Sequence, residues 1–361
     1  MLEEALARDA TGQPFEDTRV DGELEDLLSK MHTTIRIIGL GGGGSNTISR
    51  IFEEGITGAE LYAANTDAQH LLSVKAPHKI LLGRRTTRGL GAGALPQIGE
   101  EAAREAEEEL KAVFQGVDMV FLTCGLGGGT GTGSSGLVAR LARDAGALTV
   151  AIVTLPFRGE GRIRMESAEW GLDRLRDIAD TVITIPNDRL LDLVPRLQLN
   201  LAFKYADAVL TKAIKGITEL ITKPGLVNLD FNDVKTIMHG GGVAMIGMGE
   251  SQAVGDERAS EAILEAINSP MLEVDITQAH GVLVNVIGGT DMTIGEAERC
   301  AEVVQQKVSP TARILWGATV DPSLQHTLRV MLVATGVKSP QIHGRRDPAE
   351  EKARYGVDSI H

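Results

Sequence analysis

Two cysteines in 361 residues, Cys124 and Cys300, are too few for a disulfide framework, and their separation is not that of a metal site. Aromatic side chains make up only 3% of the chain, which removes the stacking platforms that single-stranded nucleic acid needs. Basic residues are also short. With 36 Lys and Arg against 49 Asp and Glu, the net charge is −13, and most of the surface would repel a phosphate backbone. Nucleic acid is thereby excluded as a general partner, and any polyanionic ligand must be held by local design. Although 43% of the residues are hydrophobic, no run approaches the ~18 apolar residues of a membrane span. The opening stretch MLEEALARDATGQPFED is acidic and lacks the charged-then-apolar order of a signal peptide. A reduced, cytoplasmic setting is the expectation.

What the chain has in quantity is glycine, set into a regular alternation of elements. Nearly continuous apolar runs at 35–40, 60–65, 79–83, 119–126, 148–156 and 181–187 alternate with helical patterns such as 99–115 and 165–180. Strands buried on both faces and separated by helices predict an α/β domain with a doubly wound parallel sheet. Residues 199–223 are apolar all round with no interior proline, which predicts a buried helix of ~35 Å joining two domains. Pro224-Gly225 stops it. Four further strands (243–250, 282–289, 312–320, 327–337) and helices over 259–269 and 295–308 suit a smaller α+β domain. The expected organisation is an acidic extension (1–33), a first domain (34–198), a connecting core helix (199–224), a second domain (225–338) and a flexible tail (339–361).

Two segments concentrate the glycines. IRIIGLGGGGSNTISRIF contains Gly39-x-Gly41-x-x-Gly44 between a strand and a helix, which satisfies the dinucleotide fingerprint. A dehydrogenase would also place an acid at the end of the second strand. Glu60 sits where that strand begins and Asp67 falls late, so the fit is poor. The stretch 123–136, TCGLGGGTGTGSSG, is half glycine and has no lysine, so neither segment is a P-loop. Backbone N–H groups at a helix N-terminus bind anions without a charged side chain. Two such segments on neighbouring parallel strands would grip one phosphate chain from two sides, with threonine hydroxyls assisting and Mg²⁺ offsetting the charge. The plain alternative is that the glycines only allow tight turns.

GGGTGTG resembles the tubulin signature loop in the form carried by the FtsZ family of prokaryotic tubulin-like cell-division GTPases, and the resemblance extends over roughly 32–338. It implies GTP and GDP as ligands, with a GTP-binding domain over 34–198 and a GTPase-activating domain over 225–338. By that resemblance Gly42, Gly43, Gly44, Ser45 and Asn46 form the first nucleotide loop, and Asn65, Thr66 and Asp67 lie near phosphate and Mg²⁺. Ala92 and Gly93 would sense the γ-phosphate. Gly129, Thr130, Gly131, Thr132 and Gly133 would cradle the phosphates. Glu160 would bind the ribose, Arg164 the nucleotide, and Asn187 the guanine edge. Phe203 would stack on the base, and Asp207 would accept from guanine N1–H and N2–H₂, a donor pair that adenine lacks. Plainer readings stand beside these: Phe203 as a core residue, and Glu160 with Arg164 as a surface ion pair.

GLVNLDFNDVKTIM (225–238) resembles the loop by which the family completes hydrolysis in the neighbouring subunit. Asn228, Asp230 and Asp233 would then position and polarise the attacking water. Asp230 and Asp233 at a helix start are equally an N-cap arrangement. Catalysis in trans implies a head-to-tail homopolymer, since such contacts make filaments when they do not close. The resemblance further implies a cytokinetic ring at mid-cell. Ser45, Gly136 and Asn232 depart from the usual pattern without removing a charged or guanine-reading residue. The ending YGVDSIH differs from the bacterial anchoring peptide. It leaves room for docking other division proteins and leans towards the archaeal branch. Two rival readings are a tubulin-like GTPase governing cell shape and a dinucleotide-dependent oxidoreductase.

Overall fold

The computed structural model describes residues 33–337 apart from 194–197, 224, 228, 254, 256 and 273. The expectations for the acidic extension, the tail and Asn228 lie outside the described residues. Strands β1 (Ile35–Leu40), β2 (Ala59–Asn65), β3 (His78–Leu81), β4 (Met119–Gly125), β5 (Leu148–Leu155) and β6 (Thr181–Pro186) pair in parallel in the order 3-2-1-4-5-6. Every residue of β5 and β6, and all of β4 but Gly125, is buried, which is why these strands read as unbroken apolar runs. The strand order reverses between β1 and β4. A crevice at the carboxyl ends of those two strands is where an open α/β sheet binds ligands.

Strands β7 (Gly242–Ser251), β8 (Gly281–Gly288), β9 (Arg313–Val320) and β10 (Leu328–Thr335) continue the same sheet in the order 7-10-8-9, with β10 antiparallel to both neighbours. The join is short. Only Thr181 to Ile183 of β6 pair with Gly242 to Ala244 of β7. The two strand sets expected from sequence are therefore one ten-stranded sheet.

The helices are α1 (Gly41–Glu54), α2 (Ala68–Ser73), α3 (Pro96–Glu105), α4 (Glu107–Phe114), α5 (Thr130–Asp144), α6 (Arg162–Ile178), α7 (Asn187–Leu193), α8 (Leu199–Thr222), α9 (Phe231–Met238), α10 (Glu257–Ile267) and α11 (Ile294–Gln305). The single helix expected over 99–115 breaks at Ala106, whose φ −97° and ψ 14° leave the helical region. Among the described residues no helix is long and apolar enough to cross a membrane.

Helix α8 covers one face of the sheet. Its Leu210, Ile214, Ile217 and Leu220 are buried among Ile48 and Ile51 of α1, Phe121 of β4, Leu283 of β8 and Val333 of β10. Each such side chain stabilises the fold by roughly 2 kcal/mol. Helices α1 and α8 run side by side in the same direction. Arg50 Nη1, in the second half of α1, donates to Lys204 O early in α8, and Lys215 Nζ, further along α8, donates to Glu54 O at the end of α1 (each 3.2 Å). Helix α9 lies at the other edge of the sheet, where the Thr181 hydroxyl at the first residue of β6 donates to Met238 O at 2.5 Å.

Candidate nucleotide-binding site

The first glycine segment is the opening turn of a helix. Leu40 is extended, Gly41 takes φ +67°, and α1 begins there with no side-chain cap and no acid in its first turn. Crowding explains the sequence. A Cβ on Gly39 would lie 2.2 Å from Gly44 O, one on Gly44 2.4 Å from Thr123 O, and one on Gly41 2.8 Å from Gly131 N. These glycines let β1, α1 and the second segment pack backbone to backbone. Gly42 and Gly43 are exposed instead, and a Cβ on Gly42 would meet nothing within 4 Å. Asn46 is likewise exposed, whereas Gly44 and Ser45 are buried.

The second segment repeats the device. Strand β4 ends at Gly125, and α5 begins at Thr130, again with no side-chain cap and no acid in the first turn. Two helix N-termini with unsatisfied N–H groups thus face one crevice, a positive site built without a cationic side chain. The glycines divide their work. Gly128 is open, but a Cβ on Gly133 would lie 2.0 Å from Pro96 O, and one on Gly129 2.9 Å from the Ala92 methyl. Gly129 and Gly133 therefore seat α3 and the 88–95 segment against α5. The hydroxyls also brace the loop: Thr132 Oγ1 accepts from Gly127 N at 2.9 Å, which leaves its O–H to donate, and Thr130 Oγ1 lies 2.6 Å from Thr66 Oγ1.

Strand β2 delivers Asn65, Thr66 and Asp67 beside this cradle. Asp67 caps α2, its Oδ1 accepting from His70 N at 2.9 Å. Glu60 is paired with Arg36 at 2.7 Å at the start of β2. Glu60 is thus tied up at the wrong end of β2 for a dinucleotide ribose and Asp67 serves as a helix cap, an arrangement that does not favour the oxidoreductase reading. The 88–95 segment folds against Thr66 through Gly91 N–H to Thr66 O at 3.2 Å. Two of its non-glycine residues, Arg88 and Ala94, hold left-handed φ of 54° and 60°. This turn buries Ala92 and leaves Gly93 exposed.

The other end of the crevice suits a base. Asn187 opens α7 and is buried, and its Oδ1 has no hydrogen-bond partner among the described residues. Phe203 is 40% exposed and meets Phe157 edge to face at 5.1 Å, so it is not the core residue that its apolar surroundings suggest. Asp207 stands one helical turn further along α8. Burial pushes its carboxyl up from 3.8 to about 6, with Arg50 pulling the other way. A half-buried carboxylate and an orphaned amide oxygen are acceptors of the kind that a pair of N–H donors such as guanine N1–H and N2–H₂ would match. Glu160 and Arg164 form the i, i+4 ion pair, and Glu160 also accepts from Phe157 N at 2.9 Å. The sequence reading missed Phe157, Arg50 and His70. His70 joins Asn65 and Asn46 through its two ring nitrogens at 3.1 Å each.

The acidic pair is elsewhere. Asp230 caps α9, its Oδ1 accepting from Asp233 N at 2.8 Å while Asp233 Oδ2 accepts from Asp230 N at 3.4 Å. Asp230 is exposed and Asp233 half-buried. The capping arrangement expected as the plain reading is present. The segment that carries the pair starts where Thr222 Oγ1 donates to Thr57 O, just ahead of β2, and ends where Thr181, first in β6, donates to Met238 O. Both points are at the amino edge of the sheet, and β6 alone carries the chain ~20 Å from there to Asn187.

A model of the Tubulin/FtsZ family GTPase domain matches residues 34–195, and one of the FtsZ family C-terminal domain matches 242–338. The chain is 57% identical over 368 residues to cell division protein FtsZ 1 of Archaeoglobus fulgidus, covering 100% of this chain and 98% of that protein. It is 55% identical over 343 residues to cell division protein FtsZ of Haloferax mediterranei, covering 95% and 90%. The solved structure of an empty FtsZ dimer from M. jannaschii superposes with a TM-score of 0.84 at 54% identity, covering 88% of this chain and 92% of that one. The fold agrees with these likenesses, and the chain is a member of the FtsZ family of tubulin-like cell-division GTPases.

Proposed function

We propose that GTP binds with its phosphates between the N-termini of α1 and α5 and its guanine among Asn187, Phe203 and Asp207. Hydrolysis is then completed by Asn228, Asp230 and Asp233 of the next subunit in a head-to-tail filament. The observation that carries this reading is the distance between the two halves of the chemistry. The glycine segments lie at the carboxyl edge of the sheet and both ends of the acid-bearing segment at its amino edge, which supports acids that serve another chain's nucleotide and not their own. A subunit stacked end on end would bring them there, and a repeated contact of that kind does not close. On this reading 34–198 binds the nucleotide and 225–338 supplies the activating acids.

In the shared site the exposed Asp230 and the half-buried Asp233 orient a water and draw a proton from it as it attacks the γ-phosphorus. The bond to the β-phosphate oxygen breaks, and GDP and phosphate result. Positioning and charge placement are most of what phosphoryl transfer requires. Among the described residues no cluster of three or more His, Cys, Asp or Glu is formed for a metal. Mg²⁺ fits only as an ion sharing the free Asp67 oxygen with the nucleotide's phosphates, where it would neutralise developing charge. The filament would form the cytokinetic ring in the cytoplasm at mid-cell, with other division proteins docking on the tail.

GTP hydrolysis per molecule, measured against protein concentration, tests the reading. Activity near zero below a threshold and rising above it supports a shared site. A constant rate at every dilution would mean a self-contained site, and Asp230 and Asp233 would then be helix caps alone.

A further inference from the structure

We infer that His70 is a positioning residue of the nucleotide site, locking the Asn46 side chain so that its NH₂ end is the one offered to the ligand. One group beside His70 has a fixed polarity. The Thr66 backbone N–H can only donate, so the Asn65 atom 2.9 Å from it is the amide oxygen, Oδ1. The other end of that amide is therefore NH₂, and His70 Nδ1, 3.1 Å from Asn65 Nδ2, must accept. A neutral imidazole that accepts at Nδ1 carries its proton on Nε2. That N–H lies 3.1 Å from Asn46, and the atom it meets must be the oxygen, Oδ1. What Asn46 has left is Nδ2, with two donors.

The chain of constraint runs from a buried strand end to an exposed helix residue. Asn65 is buried, His70 half-buried and Asn46 exposed. Nδ2–H groups suit the acceptor atoms of a guanine nucleotide, whether phosphate, ribose or ring oxygen and nitrogen. Without the imidazole an exposed Asn46 would rotate freely and present oxygen as readily as nitrogen. His70 also ties α1 to the segment carrying Thr66 and Asp67. The inference rests on the reading that Asn46 lies at the nucleotide.

GDP titrations of the full chain at pH 8, below the assembly threshold, decide the matter. His70→Ala is expected to weaken GDP binding by roughly three- to tenfold, the worth of one oriented hydrogen bond. His70→Gln, whose amide N–H replaces the imidazole Nε2–H, should stay within about twofold of the parent. Asn46→Ala should lose at least as much as His70→Ala, and the double substitution no more than Asn46→Ala alone. In turnover the His70→Ala loss should fall on KM, with kcat at saturating GTP held. Unchanged GDP affinity in His70→Ala beside a weakened Asn46→Ala would overturn the inference. So would a His70→Gln as weak as His70→Ala, which would make the loss one of ring packing. An Asn46→Ala protein that binds GDP like the parent would instead remove Asn46 from the site, and with it the reading on which this rests.

Discussion

Asp207→Asn separates what the nucleotide site gains from what the fold loses. An aspartic acid that starts at 3.8 and ends at about 6 is one whose neutral form the folded protein favours. The resulting stability is fully present below 3.8 and is lost as pH rises through about 6. At pH 7.5 the unliganded protein holds a charged carboxylate at a cost of up to roughly 3 kcal/mol. Asparagine has nearly the same shape and no charge. The unliganded variant should therefore melt several degrees higher at pH 7.5, by about half that much at pH 5, and no higher near pH 3.8. Binding moves the other way. On the proposed reading guanine N1–H and N2–H₂ donate to the carboxylate, and losing a charge-assisted pair should weaken GDP by roughly a hundredfold or more. An Asn amide offers one acceptor and one donor, which match the N1–H and C2 carbonyl of xanthine, so preference should turn towards xanthosine diphosphate. For the unaltered protein, GDP affinity should be flat above about pH 6 and fall about tenfold per unit below it. Thermal melts across pH and titrations with the two diphosphates supply every number. An Asp207→Asn protein that melts like its parent at pH 7.5 and still prefers GDP would refute the reasoning.

Three other outcomes follow from the geometry. Asp230→Asn keeps a good N-cap, so its melting temperature should stay within about a degree while polymer-dependent hydrolysis collapses; unchanged hydrolysis would leave the residue a cap. Gly42→Ala faces open space and should fold normally but bind GDP weakly, whereas Gly133→Ala drives a Cβ to 2.0 Å from Pro96 O and should lose about 2–4 kcal/mol by urea denaturation. Arg258, whose side chain is 7% exposed, donates to both Glu296 oxygens at 2.8 and 2.9 Å and to Asp291 at 2.6 Å. Arg258→Ala strands Glu296 and should cost about 3–5 kcal/mol in the same assay, and a loss below about 1 kcal/mol would show that water reaches the carboxylate.

The parallel half of the fold was legible because its strands are buried on both faces, as in VFLTC and TVAIVT, and their apolar runs need no partner to be recognised. The seam between β6 and β7 was not, since three pairings between residues some sixty apart leave no local mark. Gly41 to Gly44 read as a loop because glycine disfavours helix, and contacts with Thr123 and Gly131 override that preference. Helix α7 is seven residues long, too short to show a period. Of the site, the two glycine segments and the family's motif residues could be read from sequence. The relay through His70 could not, because a lone histidine in NTDAQH carries no signal until Asn46 is brought beside it. Glu160 and Arg164 form the pair that their spacing alone suggested.

The crowding around Gly39, Gly44, Gly99 and Gly133 bears on how this site can vary by mutation. Cβ atoms at those four positions would stand 2.0–2.4 Å from backbone oxygens. Every single-base change of a glycine codon that alters the residue without ending the chain installs a Cβ, so none of the neighbours one step away in the genetic code fits. A site made of side chains can drift through conservative exchanges. This one is made of absent side chains, and its inheritance is close to all or nothing.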